Sequence, residues 1–277
     1  MSTQNALLTI LSEKIANDTL VLPTLPAIAI KVRQSADNPD VNLHTMSEVV
    51  GQDPSLSARM IKISNSAYLG REVKVTSTAQ AVTRIGLHQV KNIATALAME
   101  QLFVSKNATV KQYMDKLWQD TIAIVGNSLA LLALYHKRVA KKTFSADTMT
   151  LCALVANIGA LPVLTEAERH NSVFANPEFL DSAIEQVSNR IGGSILREWK
   201  FNEVFVDCAE HWRNLDYQHQ DLHYIDFIRL AAALSGLTRK PIAHFEQAKM
   251  KGIFVDETEL SSDEFEQLRD EAKAAFD

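Results

Sequence analysis

Residues that break backbone regularity are scarce. Nine glycines and seven prolines among 277 residues are about half of what average usage gives. So few leave little room for the turns of a β-sandwich or barrel, and they argue against glycine-rich phosphate loops. Cysteine is nearly missing: Cys152 and Cys208, each amid apolar neighbours, read as small core residues and not as a disulfide framework, which suits a reducing, cytoplasmic setting. Basic charge is not in excess. A formal net charge of −5 gives no global attraction to nucleic acid or an anionic membrane, so either would need a local patch. Long hydrophobic runs are lacking too. The most apolar stretch, residues 122–135, is interrupted by Asn127 and Ser128 and falls short of the ~18 residues that mark a membrane span. The first residues, MSTQNALLTILSEKIAND, lack the basic start, long apolar run and small-residue cleavage site of a secretory leader. No G-x-S-x-G elbow is present, so nucleophilic catalysis has no support. These absences leave a soluble protein of one large domain or two modest ones.

What is present is helical periodicity over nearly the whole chain, with recognisable boundary chemistry. Asp53-Pro54 supplies an N-cap acceptor and a proline at the first helical position, where a missing N–H costs nothing. The helix it starts should bury Leu56, Met60, Ile61 and Ile63. Asn176-Pro177 repeats the device ahead of a stripe of Phe179, Ala183, Ile184 and Val187. Near the end, Ser261 and Glu264 match a capping box with Leu260 and Phe265 as its staple, predicting a last helix to about Ala275. Strand signals reduce to residues 73–78, VKVTST, whose position suggests an extended connection. The fold class is therefore all-α. A soft boundary falls at residues 105–108, before a helix expected to begin near Tyr113, and a second at residues 213–221, rich in His, Gln, Asn and Asp. No fixed-period repeat or low-complexity tract occurs.

Two clusters of side chains invite chemistry. His219 and His223 are spaced i, i+4 and Asp226 follows three residues later, so a helix through them would place three metal ligands on one face. The spacing lacks the internal glutamate of a zinc-protease motif, and a solvated helix start is the favoured reading of this polar stretch. The basic run over residues 136–142, HKRVAKK, ends a long helix, where cations complement the helix dipole. No aromatic interleaving or reading helix accompanies it, so nucleic acid is not the expected partner.

Several dispersed motifs then appear in one order: a leading LP..P, QDP.L..R at a helix start, NSAY.G from Asn65 to Gly70, and A...IGL..V.N from Ala81 to Asn92. They continue with LW at Leu117-Trp118, LVANIG ending at Gly159, and IGGSIL..W ending at Trp199. Together they resemble the HDOD family, the HD-related output domain, over residues 18–215. The resemblance implies a multi-helical, HD-domain-like bundle with an N-terminal helical lobe to about residue 105 and an HD-like lobe from about 106. Residues 216–277 would be a helical extension packed on the second lobe. A groove between the lobes would be the binding site.

The resemblance also implies kinship with HD-type metal phosphohydrolases, in which a histidine, an adjacent His-Asp pair and a later aspartate hold divalent metal. Neutral imidazoles and carboxylates suit that task because they bind the cation and let it acidify water. The matching positions here are Asp120, the pair Ala156-Asn157, and Ala232, so the resemblance implies a degenerate site with no catalytic residue, metal or cofactor. Glu210-His211 stands where some catalytic relatives carry paired histidines. Asn157 lies in an apolar helix, and a buried amide there needs a partner, for which Asp120 is the candidate. Arg59, Lys62, Asn65, Ser66, Arg71 and Lys74 form a candidate surface for an anion or partner, set against an architectural role for the helix-end residues. The first expectation is a non-catalytic signalling or regulatory module that binds a protein partner or a small polar ligand. A phosphohydrolase with rearranged ligands, in which Glu210 and His211 converge with Asp120, is the alternative, followed by direct nucleic-acid binding.

Overall fold

The computed structural model describes residues 3–17, 19–66, 73–169 and 177–276. The first lobe comprises α1 (Thr3–Ala16), α2 (Ala27–Ala36), α3 (Leu43–Gly51), α4 (Pro54–Ser64), α5 (Thr78–Ile85) and α6 (Leu87–Ala98), closed by a 3₁₀ turn, Met99–Leu102. The second comprises α7 (Ala108–Arg138), α8 (Ala146–Val155), α9 (Ala160–Arg169), α10 (Pro177–Glu198) and α11 (Glu203–His211). The rest adds α12 (Tyr224–Leu234), α13 (Pro241–Met250), a 3₁₀ turn Glu257–Ser261 and α14 (Asp263–Ala274). No strand occurs among the described residues.

Local chemistry accounts for most boundaries. Asp53 Oδ1 accepts from the Leu56 N–H at 3.0 Å at the start of α4, and Leu56, Met60 and Ile63 are buried below it, while Ile61 is half-buried. Gly86, at φ +88°, lets α5 stop and α6 begin at the same residue, a conformation side chains with a Cβ resist. Residues 73–77 are the connection expected, with α5 already begun at Thr78, and it is pinned by Asn65, whose amide donates to Val75 O and accepts from Val75 N, each at 2.9 Å.

Other boundaries differ. α7 begins at Ala108, five residues before Tyr113, because the Asn107 side chain caps it by accepting from Val110 N at 3.0 Å. α14 is capped by Ser262, not Ser261, and the capping box near it joins Asp256 to Glu259 one turn earlier. Asn176, Gly70 and Arg71 lie outside the described residues.

α6 joins the lobes. Five consecutive residues, Ala94 to Ala98, are buried, which a one-faced helix cannot achieve; α6 packs on α2, α4 and α5 on one side and on α8 on the other. Further ties cross between the lobes. Glu166 in α9 is buried and pairs with Lys14 of α1 at 2.5 Å, Trp199 Nε1 donates to Pro23 O at 3.1 Å, and Arg33 stacks over Phe201 at 4.0 Å.

Two stretches, 108–138 and 146–169, are long and apolar enough to cross a bilayer by length and composition, contrary to the reading of residues 122–135. Their most apolar windows are 72% and 89% buried inside the fold. Packing explains this: α7 is covered by α8, α12 and α14. α14 and the 3₁₀ turn before it bring acids to the basic run at the end of α7, where Lys137 pairs with Glu264 of α14 and Arg138 with Glu259 of the turn. Two of the four lysines and arginines of that patch are therefore neutralised from within the chain, and Lys141 and Lys142 are exposed.

Candidate functional site

α8 ends at Val155, and residues 156–159 turn the chain into α9 through i to i+3 bonds such as Ala160 N to Asn157 O at 3.0 Å. Only glycine fits at 159: a Cβ there would lie 1.7 Å from Ser188 O, so α10 crosses directly against this turn. The crossing buries Asn157, which is 3% exposed.

The partner expected for Asn157 was Asp120. Asn157 Nδ2 instead donates to Thr121 Oγ1 at 3.4 Å, and its Oδ1 accepts from Arg213 at 3.0 Å. Neighbouring positions on a helix point about 100° apart, so Thr121 faces the buried amide while Asp120 pairs with Lys116, one turn back on α7, at 3.4 Å. Arg213 also donates to Asn189 Oδ1 at 2.9 Å and stacks its guanidinium over Trp212 at 3.9 Å. Burial lowers its pKa to about 10, opposed by the charges of Glu185 and Asp120, and it stays a cation at neutral pH. Trp212 is fixed in turn, its indole N–H donating to Ala156 O at 2.8 Å.

These groups open into a cleft of about 940 Å³. Its walls are α7 (Tyr113, Lys116, Asp120), α10 (Asp181, Glu185), residues 213–216 and residues 236–240 with His244. Every lining residue belongs to the second lobe or the C-terminal helices, so this cleft does not lie between the two lobes as expected. Its charges are mixed, with Glu185 paired to Arg239 at 2.5 Å. Burial together with Asp181 pushes the Tyr113 phenol up to about 12. His244 is buried and bonded to Thr238 Oγ1 at 3.0 Å; burial, then the charge of Arg229, lowers its pKa to about 4.

A pair of divalent metals does not fit this donor set. Asp120 offers one carboxylate, Ala156 offers nothing, the Asn157 amide is held by a guanidinium, and Ala232 is fully buried in α12. A fixed cation already stands beside Asn157, where a metal would need neutral imidazole and anionic oxygen. Glu210 and His211 do not converge with Asp120 either: Glu210 pairs with Arg197, and the His211 ring stacks on Tyr217 at 3.8 Å. Neither lines the cleft.

The loop after α11 is held by Arg229, which is 2% exposed. Its guanidinium donates to the carbonyls of His211 (3.0 Å), Trp212 (3.3 Å), Asn214 (2.5 Å) and Tyr217 (2.5 Å). Past this loop, His219 and His223 do come together, with rings stacked at 4.0 Å, but not on a helix. The helix begins only at Tyr224, and the third member is Asp207 of α11, not Asp226. Asp226 accepts from His223 N at 2.9 Å at the helix start and pairs with Lys251 at 2.8 Å. Tyr217 donates its hydroxyl to Asp207 Oδ1 at 2.9 Å, and burial followed by that bond raises the phenol to about 12.

On the candidate surface of the first lobe, Arg59 is occupied by Glu100, Asn65 by residue 75 and Ser66 by Ile63 O at 2.7 Å. Lys62 and Lys74 are exposed. The helix-end residues thus have the architectural role. Sequence reasoning missed Arg213 and Asp207; the one local signal for Arg213 was an arginine directly after His211-Trp212.

Comparison with known proteins gives a family-level match to the HDOD domain over residues 22–215. The chain is similar over its full length to a crystal structure from Shewanella amazonensis SB2B named "Putative metal-dependent phosphohydrolase", at 39% identity and TM-score 0.95, with both chains fully covered. A "Putative signal transduction protein" from Marinobacter aquaeolei VT8 shares the fold at 19% identity and TM-score 0.59, over 94% of this chain and 60% of that one. An uncharacterized protein of Treponema pallidum (strain Nichols) is 24% identical over 222 residues, which is 76% of this chain and 41% of that protein.

Proposed function

This chain belongs to the HDOD family, and from that premise we propose that it is a non-catalytic signalling or regulatory module of the cytoplasm, acting through the cleft beside Asn157. The observation that carries the reading is the Arg213 guanidinium bonded to Asn157 Oδ1 at 3.0 Å. A fixed cation there disfavours a second one by Coulomb repulsion, while the missing imidazoles remove the donors that would offset it. What remains is a recognition pocket of paired charges, suited to a small polar ligand or a protein segment carrying both signs. No cofactor is needed for that role. The name of the Marinobacter protein is compatible with a signalling context, and two buried free thiols suit a reducing compartment. Nucleic acid is disfavoured as partner by the pairing of Lys137 and Arg138 with Glu264 and Glu259.

The name of the Shewanella structure supports a competing reading, metal-dependent phosphoester hydrolysis. Turnover of cyclic dinucleotides and nucleotide phosphodiesters, with manganese, magnesium, iron or zinc added, separates the two. No turnover is expected. Hydrolysis that is lost in Asp120→Ala would overturn the proposal.

A further inference from the structure

Outside the cleft, one group of side chains has the composition of a metal site. Asp207 on α11 and His219 and His223 from the loop before α12 each offer a ligand atom, and these atoms lie within 4.8 Å of one another. None of the three lines the cleft, and none matches an HD-type ligand position.

We propose that Asp207, His219 and His223 form a binding site for one divalent transition-metal ion of the zinc class, which clamps the 212–223 loop to α11. Two imidazoles and one carboxylate are borderline donors that suit zinc, cobalt, nickel or iron over magnesium or calcium. Bonds of about 2.0–2.2 Å at tetrahedral angles place ligand atoms roughly 3.3–3.6 Å from each other. Closing the widest separation therefore takes a rotation of side chains, not a movement of helices.

The surroundings support the donors. Asp207 is oriented by the Tyr217 hydroxyl on Oδ1 at 2.9 Å, which leaves Oδ2 facing His219 Nε2 at 3.1 Å. An outer hydrogen bond of this kind fixes a ligating carboxylate. His223 has a buried Nδ1 with no hydrogen-bond partner, so the protein alone does not satisfy its ring. The nearby Lys251 ammonium is neutralised by Asp226 at 2.8 Å. All three ligands are only half-buried, so an ion can reach them. Three protein ligands leave further positions to water.

The test uses the full, untagged chain after chelation, titrated with cobalt(II) and zinc. One equivalent of cobalt is expected, with the visible absorption of a low-coordinate ion, displaced by zinc. His219→Ala and Asp207→Ala should abolish it. Tyr217→Phe, which keeps the ring on His211, should weaken binding about 10- to 100-fold, as loss of an outer partner does; circular dichroism checks that each variant is folded. Asp120→Asn should bind as the parent does. No saturable binding, or binding lost in Asp120→Asn and kept in His219→Ala, would overturn the proposal. Hydrolysis of phosphodiesters bears on the cleft and not on this site, so the two readings fail separately.

Discussion

Two places on either side of the 211–217 loop make opposite use of similar residues. Of the positions that the family resemblance matches to HD-type ligands, Asp120, Ala156, Asn157 and Ala232, only Asp120 and Asn157 line the cleft, and Arg213 stands against the Asn157 amide at 3.0 Å. Beyond the loop, Asp207, His219 and His223 bring one carboxylate and two imidazoles within 4.8 Å of one another. The difference teaches that donor chemistry, more than fold, decides what a site can hold: the same helical scaffold carries a filled cationic position in one place and an open ligand set in another. Arg229 stands between them, tying down the carbonyls from which both sides are built.

The largest effect that breaks the comparison comes from that shared support. Arg229→Met leaves four carbonyls without their buried donor and removes a guanidinium 3.9 Å from Asp226, and is expected to cost roughly 3–5 kcal/mol. Denaturant unfolding measures it. Cobalt binding at Asp207 should fall together with stability, and a variant of parental stability would show that the two sides do not share this strut.

A smaller effect is confined to the cleft and depends on pH. The folded pKa of His244, about 4, lies below the ordinary value near 6.5. Between those values the unfolded chain binds the proton and the folded chain does not, so stability is fully present above pH 6.5 and is lost as pH falls toward 4. The loss amounts to about 3 kcal/mol at the acid end. His244→Gln should flatten this part of the stability curve relative to the parent, apart from the carboxylates that both proteins share. Identical curves from pH 7 to 4 would contradict the assignment.

The smallest effect sharpens the contrast most. Asn157→Ala removes the acceptor of Arg213 and the donor to Thr121 and should lower stability by about 1–3 kcal/mol. Thermal melting checks this. Metal binding at Asp207 should not change, because Asn157 makes no contact with that cluster.

Some of this was legible in the residues. The all-α class followed from few glycines and prolines together with helical periodicity, and the Asp53-Pro54 start of α4 is a local device that functions as read. The loss of the HD-type pair was equally plain, since Ala156 has no donor atom. Asn157 was legible as a buried amide but its partner was not, because one step along α7, from Asp120 to Thr121, turns the side chain about 100°. His219 and His223 were visible as a pair, yet a helical spacing pointed to Asp226, which the helix start and Lys251 consume.

The sequence by itself determined the class of the fold and its family, because both rest on residue identity and local periodicity. The tertiary structure alone decided that Arg213 bonds to Asn157, that the cleft opens toward α13 instead of between the lobes, and that Asp207 joins the two histidines. Each of those depends on contacts between residues far apart in the chain, such as Gly159 against Ser188 and Arg229 against the 211–217 carbonyls. Helix crossings set them, and local periodicity carries no information about which helices cross.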